Sequence, residues 1–249
     1  MCYPMNINVT HISNTFNNGS LMMAITAISY INTHVDNVRF FVDCQTEEDL
    51  ERLKKETGIT SIEMMPQRHA VPSRSKLAKL IRRLKEARTD GTLYDVRIVL
   101  GGDDISEYYQ KRGWLVSFPL MFFEQLSLPT ILLGQTIGPF TSYRRLLAKF
   151  ALSRAKIYTR DDDTVEYMRQ LGLRSVHAGR DLAFMKLPNQ DVAKVVLAEY
   201  NLVDRPYIVL VPSGLVRCYT SNYPVYVDEH YNIIRGILSD ERLANMHVV

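Results

Sequence analysis

No apolar run in this chain approaches the roughly eighteen residues that a membrane-spanning helix needs. The first residues also lack the basic region and apolar core of an export signal. Cysteine is scarce: Cys2, Cys44 and Cys218 lie far apart, match no metal or redox spacing, and by their odd count point to a reducing compartment. Two glycosylation-type tripeptides, Asn8-Val9-Thr10 and Asn18-Gly19-Ser20, carry meaning only in a secreted protein. Excess charge is missing too. A formal net charge of +3 is far short of a nucleic-acid footprint. The six histidines are scattered with no His-x-x-x-His set, so no structural metal is expected. The dinucleotide fingerprint, the phosphate loop and the Gly-x-Ser-x-Gly elbow are all absent.

What is present is an ordinary globular composition, 46% hydrophobic and 23% charged over 249 residues, enough for one large domain or one domain and part of another. Strand-like runs recur at Asn6 to Ile12, Val38 to Asp43, Ser61 to Met64, Tyr94 to Leu100, Pro129 to Leu133, Lys156 to Thr159 and Ser175 to Ala178. Their spacing leaves room for a helix between most pairs. This is the rhythm of a parallel sheet covered on both faces. Helix signals fit it. Ser20 is placed to cap the apolar run LMMAITAISYI. Thr46 precedes three acidic residues, and Gly58 stops the helix they open. Ser75 to Arg88 is amphipathic, its many cations reading as a solvated face. Asp162 to Gln170 closes at Leu171-Gly172.

After a helix over Asp191 to Tyr200, the strand pattern restarts at Tyr207 to Val211, followed by Pro212-Ser213-Gly214, a helix over Tyr226 to Leu238, and a final strand from Met246. Residues 1–204 read as a Rossmann-like α/β domain and residues 205–249 as the start of a second α/β domain that is cut short. The other reading is a terminal strand that completes the first sheet. If the segment does open a domain, its unpaired strand edge suits contact with a second copy, a homo-oligomer.

Three strands in the stretch 129–183 deliver glycines or charge at their carboxyl ends, where open α/β sheets bind ligands. Gly101-Gly102-Asp103-Asp104 follows the strand VRIVL, so backbone N–H groups there are accessible to an anion, or the carboxylates to a sugar hydroxyl; a plain tight turn is the alternative. Asn18 and Gly19 stand at the N-terminus of the first helix, a place suited to phosphate or carboxylate and equally to an ordinary cap. Gln135, Gly138 and Pro139 leave the fifth strand in the segment GQTIGPF. Arg160 and Asp161 join the sixth strand to a helix, and Asp181 lies in HAGRDLAF. Each fits a ligand contact or a structural ion pair.

These features together resemble the polysaccharide pyruvyl transferases: the Asn-Gly turn into the first helix, the Gly-Gly strand end, GQTIGPF, the arginine–aspartate helix start, and the pattern of helix, Leu-Gly, short strand and Asp-x-Ala in DTVEYMRQLGLRSVHAGRDLAF. The resemblance covers about residues 6–215. It implies the N-terminal half of a two-domain, glycosyltransferase-B-like architecture. It also implies transfer from phosphoenolpyruvate to a glycan or lipid-linked sugar, giving a pyruvate ketal, with no cofactor beyond the donor. A nucleotide-sugar glycosyltransferase and a non-catalytic α/β module are the alternatives. On the resemblance, Asp103, Asp104 and Arg160 are the catalytic candidates. Asn18, Gly19, Gly101, Gly102, Gln135, Gly138, Asp161 and Asp181 are the substrate-binding candidates. Asp103 stands where relatives often carry another glycine. The family's second domain supplies much of the donor site, so this chain alone is expected to be catalytically incomplete. A cytoplasmic location, peripheral to the inner face of the membrane, would suit a lipid-linked acceptor.

Overall fold

The structure is a computed structural model, and it describes residues 3–12, 14–66, 76–107, 114–188, 193–212, 216 and 220–249. Cys2, Cys218, Ser75, Asp191 and the Ser213-Gly214 pair lie outside the described residues. The chain forms two compact units, Met1–Pro188 and Asn189–Val249. The boundary read at 204/205 lies within the second unit.

The first unit is a seven-stranded sheet of β1 (Met5–Thr10), β2 (Val38–Val42), β3 (Ile62–Met64), β4 (Val96–Leu100), β5 (Thr130–Gln135), β6 (Lys156–Thr159) and β7 (Val176–Ala178), in the order β3-β2-β1-β4-β5-β6-β7. Every pairing is parallel. Among the described residues its α-helices are α1 (Asn18–His34), α2 (Glu47–Thr57), α3 (Lys76–Leu93), α4 (Trp114–Ser127), α5 (Tyr143–Leu152) and α6 (Asp162–Gln170). Parallel strands require crossovers, and the helices that supply them cover both sheet faces. The side chains divide accordingly. Ile7, Val9, Phe40, Val42, Ile98 and Leu100 join residues of α1 and α2 in one core cluster. Leu132 and Ile157 pack with Phe118 of α4, Ala148, Ala151 and Leu152 of α5, and Val165 and Met168 of α6 in another.

All seven expected strands of this sheet form, with ends shifted by a few residues. α2 is capped by Thr46 and stopped by Gly58, as the sequence predicts. One cap differs. Asn17, not Ser20, caps α1: its side chain accepts the Ser20 backbone N–H at 3.4 Å, and Ser20 lies inside the helix. Two consecutive asparagines precede the run, and the earlier one has the extended backbone a cap requires.

In the second unit, β8 (Tyr207–Ile208), α8 (Tyr223–Ser239) and β9 (His247–Val248) follow α7 (Ala193–Glu199). β8 and β9 pair in parallel as a sheet of their own. The reading in which a terminal strand completes the first sheet is therefore incorrect.

Candidate active site at the carboxyl edge of the sheet

The strand order reverses between β1 and β4, so the loops after these strands diverge and leave a crevice at the carboxyl edge. His11 follows β1 with φ +73°. That conformation is held by Asp43, which follows β2 and accepts the backbone N–H of His11 and of Ile12, each at 2.8 Å. The imidazole Nδ1 of His11 lies 3.4 Å from Asp104 Oδ2, in the turn after β4. His11 beside it holds the Asp104 carboxyl below its usual pKa, against a smaller opposing effect of burial; Arg160 adds a weaker pull.

The turn after β4 is built around Gly101. A Cβ there would sit 2.8 Å from Asp104 Oδ2 and 3.4 Å from the Gln135 amide, so only glycine lets the carboxylate fold back over the strand end. Gln135 is fully buried. Its Nε2 donates to the carbonyls of Val99 and Leu100 at 3.1 and 3.3 Å, which pins the end of β4 to β5. Gln135 Oε1 has no hydrogen-bond partner among the described residues. The backbone continues the tie: Thr136 N–H donates to Gly102 O at 2.7 Å, and Arg160 N–H to Gln135 O at 3.0 Å.

Arg160, at the end of β6, is a cation of this edge. Its Nη1 is 3.4 Å from Asp181 Oδ2, its Nε donates to Thr136 Oγ1 at 3.2 Å, and a Cβ on Gly102 would lie 3.4 Å from Nη1. One third of its side chain is exposed, so the guanidinium is positioned and still reachable. Asp161 caps α6, accepting the Thr164 N–H at 2.7 Å and the Thr136 hydroxyl at 2.5 Å. Burial opposes its charge, but the hydrogen bonds from Thr136 and Thr164 together outweigh it and lower its pKa.

The structure thus brings Gly101, Gly102, Asp104, Gln135, Arg160, Asp161 and Asp181 into one connected set. Asp103 sits in the same turn, half-buried. Two other sets of candidates lie apart from these contacts. Asn18 and Gly19 open α1, where Asn18 Oδ1 accepts from Arg52 Nη2 at 3.4 Å. Gly138, with φ +83°, turns its bare Cα toward the Tyr167 ring, which would be 2.4 Å from an added Cβ. The Tyr167 hydroxyl donates to Phe140 O and accepts Phe140 N–H at 2.7 Å. GQTIGPF therefore packs its glycine and phenylalanine inward and offers Thr136 to the site. Neither His11 nor Arg52 is marked by the sequence pattern. His11 lies inside the run Asn6 to Ile12 read as the first strand, whereas the strand ends at Thr10, so its place at the strand end was not legible. Among the described residues, no group of three or more His, Cys, Asp and Glu side chains is placed to hold a metal ion.

Comparison with known proteins places this geometry in context. The family model for polysaccharide pyruvyl transferase matches residues 20–246. A search of curated proteins found no match. Among solved structures, the chain is similar to the UDP-GlcNAc 2-epimerase from Neisseria meningitidis bound to UDP-GlcNAc, with TM-score 0.56, 11% identity, and coverage of 100% of this chain and 72% of that one. It is also similar to a glycosyltransferase from Rickettsia africae, with TM-score 0.53, 9% identity, and coverage of 99% and 68%. At these identities the likeness is one of fold.

Proposed function

The chain belongs to the polysaccharide pyruvyl transferase family, and we propose that it transfers the pyruvyl group of phosphoenolpyruvate to a sugar of a cell-surface polysaccharide or its precursor. The observation that carries this reading is Arg160. It is a guanidinium one third exposed at the carboxyl edge, held by Asp181 and Thr136 and bordered by the Gly101-Gly102 turn. The donor carries a carboxylate and a phosphate, and a positioned guanidinium matches either group with paired N–H donors.

The chemistry is a double addition at one carbon. A proton is added to the methylene carbon of the donor, and a sugar hydroxyl attacks the neighbouring carbon and loses its proton to a base. Phosphate then leaves with the C–O bond electrons. A second hydroxyl of the same sugar attacks, loses its proton, and closes the cyclic ketal. The His11–Asp104 pair is built for the hydroxyl step: the imidazole accepts the proton and the ionised carboxylate stabilises the imidazolium that results. Arg160 neutralises the donor and the departing phosphate.

The test is calorimetry with phosphoenolpyruvate and phosphate release with glycan acceptors, using the full-length protein and an Arg160→Ala variant, with a nucleotide-sugar as control ligand. Arg160→Ala is expected to weaken donor binding by roughly ten- to a hundred-fold, the worth of a hydrogen bond to a charged group. Binding of the nucleotide-sugar without phosphoenolpyruvate would reassign the chain to glycosyl transfer. Unchanged donor binding in the variant would make Arg160 a structural residue.

A further inference from the structure

On one face of the first unit's sheet, α3, α4 and α5 lie side by side. Phe122 of α4 and Phe150 of α5 stack with ring centroids 3.9 Å apart. α3 comes close enough to α4 that a Cβ on Gly91 would sit 2.2 Å from the Ser127 carbonyl oxygen. α5 buries Ala148, Ala151 and Leu152 against Leu132 and Ile157 of the sheet. Tyr143, Leu146 and Phe150, spaced i, i+3 and i+7, form its outer stripe. Leu146 is 72% exposed; Tyr143 and Phe150, with Phe123 and Leu126 of α4, are each close to half exposed. Large apolar side chains gathered on two touching helices mark a contact surface, whereas singly scattered ones need no explanation.

The charge around this surface has one sign. Residues 141–156, which hold α5, carry Arg144, Arg145, Lys149, Arg154 and Lys156 and no acidic residue. Arg145, Lys149 and Arg154 are exposed, as are Lys85 and Arg88 of α3. The acidic residues of the three helices are already committed: Glu86 meets Arg82 at 3.5 Å, and Asp90 and Glu124 meet Arg97 at 2.6 and 3.4 Å. Glu107, beside the start of α5, meets Arg144 at 2.6 Å. An apolar strip flanked by cations is complementary to a bilayer, where anionic headgroups border hydrocarbon. Long basic side chains reach the phosphates while leucine and aromatic side chains enter the headgroup boundary. Among the described residues no helix is long and apolar enough to cross a membrane, so the contact is a surface one. A second copy of the chain fits less well, because a two-fold contact would set the same cationic patch against itself.

We propose that the outer face of α4 and α5, flanked by α3, rests on an anionic phospholipid bilayer, with Leu146 and Phe150 entering the headgroup boundary and Arg145 and Lys149 meeting lipid phosphates. No residue of the Arg160 set belongs to this surface, and the inference stands whether or not the reaction proposed above is correct. The test is co-sedimentation of the full chain with vesicles of phosphatidylcholine alone and of phosphatidylcholine mixed with phosphatidylglycerol.

Binding to the mixed vesicles is expected, falling as salt rises, and much weaker binding to the neutral ones. Leu146→Ser and Arg145→Glu should each weaken it about fivefold or more, the scale of one leucine leaving water or one cation at a charged headgroup layer. Lys55→Glu makes the same change in net charge as Arg145→Glu, but on α2, whose Leu50 and Leu53 pack in the core on the opposite sheet face. It should leave binding within about twofold of the wild type. All three positions are exposed, so wild-type melting temperatures are expected and serve as the check on folding. Absence of binding to the mixed vesicles would overturn the proposal. Equal losses in Lys55→Glu and Arg145→Glu would reduce the effect to net-charge attraction and overturn it too. A dimer in analytical ultracentrifugation that Leu146→Ser dissociates, with vesicle binding unchanged by that substitution, would assign the face to a second copy instead.

Discussion

Glu107 ties the turn after β4 to the start of α5. Its carboxylate accepts Arg144 Nε at 2.6 Å and Nη2 at 2.9 Å, together with the Thr141 backbone N–H at 2.5 Å. The Arg144 hydrogen bonds are the main cause that lowers its pKa from 4.5 to about 2, with Thr141 adding to them and burial opposing. The folded-state pKa is depressed. The stabilisation is therefore complete above 4.5 and is lost as the pH falls from there toward 2. Glu107→Gln cannot titrate, so its urea midpoint should fall less between pH 7 and pH 3.5 than that of the wild type. Equal falls in the two proteins would show that the pair contributes nothing to folding. Cys44 is the opposite case. Burial, followed by the neighbouring Asp43 and Asp49 charges, pushes its thiol up to about 12, which makes it a core residue rather than a nucleophile.

At the scale of elements, one polar network holds four of them together. Arg97 of β4 reaches Asn8 of β1, Asp90 of α3 and Glu124 of α4, and the Arg97 and Asp90 side chains are almost fully buried. Removing one partner leaves a buried charge uncompensated, so Asp90→Ala should cost about 3 kcal/mol in urea unfolding. A loss under about 1 kcal/mol would mean that Glu124 alone satisfies the arginine. None of this network is legible in the sequence, where Asn8, Asp90, Arg97 and Glu124 carry no shared periodicity. The strands were legible because strands buried on both faces read as short apolar runs. α2 and α6 were legible from their caps and acidic first turns. α4 escaped individual assignment: its sequence WLVSFPLMFFEQLS is apolar on most sides and contains Pro119, which reads as a breaker. The carboxyl-edge site was half legible. Strand ends marked Gly101, Arg160 and Asp181, but only the sheet order brings Arg160 beside Asp181 and His11 beside Asp104, because sequence spacing does not specify which strands are neighbours.

At the scale of the whole molecule, the two units differ in how much each buries. The seven-stranded sheet has fully buried residues on most of its strands, among them Val9, Phe40, Leu100, Leu132 and Ile157. The second unit pairs two strands of two residues each, and no residue of α8 is buried. Val211 and Leu238 are exposed. Local opening costs least where few apolar contacts and few ladder hydrogen bonds must be broken. Native-state hydrogen exchange on the full chain should therefore show the amides of Ile208, Val249 and the middle of α8 exchanging at least a hundredfold faster than those of β1 and β4. The small ladder is closed by few bonds: the Val249 N–H donates to Ile208 O and the Leu210 N–H to Val249 O, at 2.9 Å each. The β1 and β4 amides lie between two paired strands on either side. Addition of a ligand at the carboxyl edge of the first unit should raise protection in the loops after β1, β4 and β6. If the 189–249 segment instead exchanges as slowly as β4 in the unliganded chain at low concentration, its stability comes from burial beyond its own two-stranded ladder. Exchange that slows only as protein concentration rises would assign that burial to a second copy of the chain.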